Sequence, residues 1–242
     1  MTGKRDDEPP TGTRQANVNS TEPAKFARFE EQLADAISDG DERITYLEEQ
    51  LAEATANSAA IVRVLHVVVA PGEKTALHEH PDNVTVMLTD GKMSFTDADG
   101  KSQELEVKAG QAQWSGPQKH MGLNSGTSPL EAIVVELKGS AAPTATLPAT
   151  RPNTSMTRLV ENPRADVFRI SADASFKEAP KTTHDYDQVV IALAPATMSI
   201  EVGGKTTTTW KRGDAVFIGR GQAHQAQNTS GKPQELVIVA IK

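Results

Sequence analysis

No cysteine occurs among the 242 residues. That excludes disulfides, thiolate catalysis and cysteine-bound zinc or iron–sulfur clusters. Any metal must therefore sit on histidine, carboxylate, amide or water. Aromatic residues make up only 4%, so the core has to be built from Val, Ile, Leu and Ala. No apolar run approaches the roughly 20 residues that cross a bilayer. Met1 to Pro10 is charged and lacks the apolar stretch of a signal peptide. The expectation is no membrane partner and a cytoplasmic location, with the periplasm or secretion open if a signal has been removed. A basic excess is also missing. Lys and Arg number 25 against 32 Asp and Glu, for a net charge of −7. Without a basic stripe, no nucleic-acid partner is expected.

The first stretch, 1–23, is rich in Thr, Asn, Pro, Gly and charge. It cannot bury enough apolar surface to offset ordering and is read as a disordered tail. Over 24–57, Phe26, Phe29, Leu33 and Ile37, and then Ile44, Leu47, Leu51 and Ala54, recur at three-and-four spacing. That spacing predicts a helical arm, broken near Gly40. Such an arm either lies on the rest of the protein or pairs two copies into a homodimer. From Ile61 the texture changes to short Val-, Ile- and Thr-rich runs between turn signals such as Pro71-Gly72, Asp99-Gly100 and Ala109-Gly110. This is an all-β pattern. It pauses over 139–153, an Ala-, Pro- and Thr-rich linker, and resumes to Lys242.

The second β block repeats the first. Leu130 to Lys138 matches Gln234 to Lys242, Lys92 to Phe95 matches Thr197 to Ile200, and His120 with Asn124 matches His224 with Asn228. His78 is paired with His184. The offsets stay between 103 and 106 residues, as a duplication requires. Two units of 61–138 and 154–242 are small, and a shared interface would extend their buried core.

Of six histidines, five fall at matching places in the two repeats. His78 and His80 are two apart on a predicted strand, so both point to one face with Cα atoms roughly 6.5–7 Å apart. Glu79 between them faces away. His120 follows about forty residues later, and a closed barrel can bring it beside them. Three neutral imidazoles form a usable shell for a divalent ion, here Zn, Fe, Mn or Ni. Without an ion, three buried imidazoles would need many hydrogen bonds. His66 reads as a packed strand histidine, Asn124 and Asn228 as turn braces, and Trp114 and Trp210 as packing residues. Met87, Met93 and Phe95 fit either core packing or an apolar pocket wall.

Gly72 followed after five residues by His78-Glu79-His80, with Gly91 closing, resembles the first cupin motif. Gly110, His120 and Asn124 resemble the second, one residue short. Gly213, Gly219, Gly221, His224 and Asn228 match the second motif at full spacing, with Gly219 where proline is usual. The resemblance covers Ile61 to Lys242 and is to small bacterial cupins and their tandem relatives, the bicupins. It implies two jelly-roll β-barrels in tandem, with a metal buried in the first.

Two departures follow from the same resemblance. The glutamate that the family places after the second histidine is absent. Val84, or Asn83 if the pairing shifts by one, stands there. The fourth ligand would be Asn83 or water. In the second repeat His184-Asp185-Tyr186 replaces His-x-His, with Gln188 or Val190 near the glutamate place. His184, Tyr186 and His224 are expected to line a pocket without holding a metal. The functional expectation is a metal-dependent enzyme acting on a small-molecule ligand in the first barrel: a dioxygenase-like oxidoreductase, an isomerase or a hydrolase. No general base is assignable, although Gln113 and Gln118 lie nearby. The alternative is a non-catalytic binding or sensing module whose arm recruits a partner.

Overall fold

Alternation of apolar and polar side chains along short strands decides the architecture. The computed structural model describes residues 62–138 and 150–242, with the backbone of one short strand at 44–46. Residues 42–242 form one unit. Among the described residues every regular element is a strand, and no helix is long and apolar enough to cross a membrane. The expected tail, most of the expected helical arm and residues 139–149 of the expected linker lie outside the described residues. The described part of the arm corrects the helical reading. β1 (Ile44–Tyr46) is a strand, paired antiparallel to β2 (Val62–Val69). Three residues of helical spacing do not outweigh a sheet edge that offers backbone partners.

The first repeat continues with β3 (His78–His80), β4 (Asn83–Met87), β5 (Gly91–Asp97), β6 (Ser102–Val107), β7 (Ala112–Ser115), β8 (Gln118–Asn124) and β9 (Leu130–Leu137). One sheet has the order β1-β2-β9-β4-β7 and the other β3-β8-β5-β6. The second repeat contains β10 (Thr154–Glu161), β11 (Ala165–Ala172), β12 (Asp187–Ala192), β13 (Met198–Val202), β14 (Lys205–Thr207), β15 (Ala215–Ile218), β16 (His224–Asn228) and β17 (Gln234–Ile241). Its sheets run β10-β11-β17-β12-β15 and β14-β13-β16. The matching orders give the duplication a structural form. Met93 faces Asn124 as Met198 faces Asn228. Each asparagine braces the turn that follows it. Asn124 donates to Val69 O and Ser128 O, and Asn228 to Ala172 O and Lys232 O.

Successive residues point to opposite faces. In the first repeat Val62, Val64, Val84, Val86, Ile133 and Val135 turn to one side. There they meet Val167, Val189, Ile191, Val237 and Val239 of the second repeat in one buried cluster. The two five-stranded sheets thus share a core, and each buried valine contributes about 1.5–3 kcal/mol. Gly213 takes φ +85° at this interface, and a Cβ there would sit 3.0 Å from the His66 ring. Arg212 closes the edge with two hydrogen bonds to Glu131, 2.9 and 2.6 Å.

The opposite faces differ between the repeats. In the second, Phe168, Phe176, Tyr186, Trp210, Leu236 and Ile238 fill the interior. In the first, Leu65 stands where Phe168 stands in the second, and Ala132 where Leu236 stands. The smaller side chains leave a cavity of about 540 Å³ between the sheets.

Candidate metal centre

β3 and β8 pair antiparallel, with His78 opposite His120 and His80 opposite Gln118. The two-residue period turns His78 and His80 into the cavity, while Glu79 is exposed opposite Lys119. Ring centroids of His78 lie 4.9 Å from His80 and 4.7 Å from His120, and those of His80 and His120 are 5.3 Å apart. One nitrogen from each ring lies within 4.8 Å of the others. An ion held at about 2.0–2.1 Å from each would draw these nitrogens closer together.

Hydrogen bonds orient the rings. His78 Nδ1 donates to Ala76 O at 2.7 Å, and His80 Nδ1 donates to Glu136 Oε1 at 2.7 Å. Acceptors on Nδ1 place the lone pair on Nε2. His120 is buried edge-on to Phe95 at 5.1 Å, and its Nδ1 has no hydrogen-bond partner. Burial first, and then His78 and His80, lower its pKa from 6.5 to about 4. The ring is therefore neutral at pH 7, as a metal ligand must be. This orphan nitrogen beside two oriented imidazoles fits a bound divalent ion.

Glu136 was not singled out by the sequence. It lies on the cavity side of β9 with no exposure and also accepts from Arg63 Nε at 2.6 Å. Burial pushes its pKa up, but the bonds and charges of His80 and Arg63 outweigh that and hold it at about 2. The readable signal was the one carboxylate that interrupts the apolar run Ala132–Leu137. Of the two residues at the glutamate place, Val84 packs into the shared core and Asn83 lines the cavity. Asn83 Nδ2 donates to Pro81 O at 2.9 Å. Met87, Met93 and Phe95 form cavity wall, joined by Gln113 and Gln118. Among the described residues that line the cavity there is no Lys or Arg.

In the second repeat the strand register corrects the pairing of histidines. Thr182 lies opposite His224, where His78 lies opposite His120, so His184 takes the place of His80 rather than of His78. His184 stacks on Tyr186 at 4.9 Å and 12°, and its ring lies 4.9 Å from that of His224. Tyr186 is buried, and its hydroxyl accepts from Arg151 Nη2 at 2.7 Å. Burial raises its pKa, against the pull of Arg151. The third ligand-capable group beside His184 and His224 is Glu178. Glu178 and Arg151 both escaped the sequence reading because neither lies in a motif.

No protein-family model matches the chain, and no curated protein matches it. Solved structures do. AerE from Microcystis aeruginosa aligns over 75% of this chain and 88% of its own, at 14% identity and TM-score 0.59. Salicylate 1,2-dioxygenase from Pseudoaminobacter salicylatoxidans, solved as adducts with gentisate, aligns over 94% of this chain and 92% of its own, at 11% identity and TM-score 0.57. A further structure of that dioxygenase covers 75% of this chain and 71% of its own, at 12% identity and TM-score 0.55. At such identities the likeness shows the fold alone, and this chain shares the cupin fold of these structures.

Proposed function

We propose that the protein is a bicupin whose first barrel holds a divalent metal through His78, His80 and His120 and acts as an enzyme on a small molecule. The observation that carries this reading is the meeting of three imidazoles at the wall of an apolar cavity, one of them backed by the buried Glu136. When bound, the ion would supply Lewis acidity and a docking point for a ligand's oxygen atoms. The protein's own residues do the rest. Glu136 fixes the tautomer and angle of His80. Met87, Met93 and Phe95 exclude water from the apolar part of a ligand. Gln113 and Gln118 offer uncharged hydrogen-bonding groups that orient it. The volume of about 540 Å³ suits a ring-sized molecule. The gentisate bound by one structural neighbour supports an oxygen-bearing ring as the ligand class.

A non-catalytic binding role has one observation in its favour. Among the described residues the one carboxylate bonded to the cluster, Glu136, is held ionised by two partners rather than poised to take a proton. The test is elemental analysis of protein purified without added metal, followed by a screen of ring-sized diols, hydroxy acids and esters for turnover. About one metal per first cluster, lost in His78→Ala, with turnover of any screened compound, upholds the enzyme. Metal without turnover leaves the binding module, and no metal in that cluster overturns both.

A further inference from the structure

We propose that the second repeat carries its own divalent-metal site, built from Glu178, His184 and His224, in which Glu178 supplies the ligand that His78 supplies in the first site. In the first repeat His78 faces His120 and ties its Nδ1 to Ala76 O. In the second, Thr182 faces His224 and ties its hydroxyl to Ala179 O at 2.8 Å. The ligand position has become a short side chain occupied by backbone. The replacement enters from a different place. Thr75 accepts the backbone N–H of Gly122 at 2.6 Å, and Glu178 Oε2 accepts that of Ala226 at 2.9 Å, at the matching point of β16. Glu178 thus stands where Thr75 stands, with a side chain long enough to reach the histidines.

The ligand atoms of Glu178, His184 and His224 all lie within 4.8 Å of one another. His224 Nδ1 donates to Gln222 O at 3.0 Å, which leaves its lone pair on Nε2. That Nε2 is buried, has no hydrogen-bond partner and lies 3.6 Å from Glu178 Oε2, too long for a hydrogen bond. His184 Nε2 is likewise buried and without a partner. Two orphan nitrogens beside one carboxylate are costly unless a ligand satisfies them. Two imidazoles and a carboxylate form a donor set suited to Fe2+, Mn2+, Co2+ or Zn2+. Arg151 stands behind it, with Nη1 3.6 Å from Glu178 Oε1 and Nη2 on Tyr186. Its positive charge opposes a second cation, so this site binds more weakly than its donors alone would.

The experiment strips the full chain with chelator and titrates it with Co2+, read by visible absorption and by bound metal per chain. Wild type is expected to take about two equivalents. Glu178→Gln, which can keep the bond from Ala226, is expected to lose one of them or weaken it about tenfold or more. Arg151→Gln is expected to tighten the same equivalent, a sign that a merely structural arginine would not give. With His78→Ala and His80→Ala combined, one equivalent should remain. If wild type itself takes only one equivalent and that variant keeps it, this site stands and the first falls. Co2+ binding that neither Glu178→Gln nor Arg151→Gln alters, or none beyond the equivalent that His78→Ala removes, would overturn the proposal.

Discussion

His80 and Glu136 are joined across the cavity wall by a 2.7 Å hydrogen bond from Nδ1 to Oε1. The carboxylate faces His80 on one side and Arg63 on the other. Replacing it by Glu136→Gln removes the charge and keeps the shape. Metal affinity of the first site should fall about 10–100-fold, measured by competition with a chelating dye. An unchanged affinity would mean that the pair only braces the sheet.

A bound ion stabilises the folded state by mass action, about 2.7 kcal/mol when free metal is a hundred times Kd. Chelator should therefore lower the melting temperature of the metal-loaded chain. His120→Ala, already without the first site, should show a smaller drop. Equal drops in both proteins would remove the first site from the explanation.

The histidine cluster was legible because a strand's period of two puts His78 and His80 on one face and because a duplication repeats His120 as His224. The all-β class was legible for a similar reason: short alternating runs between glycine turns leave little choice of element. What the sequence concealed depends on contacts between distant strands. Glu136 sits in a run that reads as core, and only the register of β2 against β9 shows Arg63 opposite it. The register of Thr182 against His224 corrects the pairing of His78 with His184, because matching the histidines by type overlooked a two-residue shift. Helical spacing over 24–57 also misread Ile44–Tyr46, where pairing with β2 makes a strand.

The metal-free protein should lose stability in acid. Burial, helped by His78 and His80, lowers His120 to about 4, and burial, helped by Arg151 and His224, lowers His184 to about 4. In the unfolded chain both titrate near 6.5. Between about pH 6.5 and 4 the unfolded state takes up protons that the folded state refuses, so stability falls as pH falls through that window. Glu136, held at about 2 against an ordinary 4.5, extends the loss from about pH 4.5 down to 2. Urea midpoints in chelator, measured from pH 7 to pH 4, should decline, and the decline should be shallower in His120→Asn. A flat profile would contradict neutral burial of these rings.

Filling the first cavity with the second repeat's side chains should separate ligand binding from metal binding. Leu65→Phe with Ala132→Leu copies Phe168 and Leu236 into a space of about 540 Å³. Affinity for a ring-sized ligand should fall about tenfold or more, since a pocket that size must bury most of its ligand. Metal content should stay as in wild type. Undiminished affinity would place the ligand elsewhere.

Diffraction from crystals of the purified chain, recorded at the absorption edge of whichever metal elemental analysis finds, addresses the three-imidazole centre directly. An anomalous peak bonded to ring nitrogens of His78, His80 and His120 is the expected result. A metal-replete crystal with no peak among those three rings would contradict it.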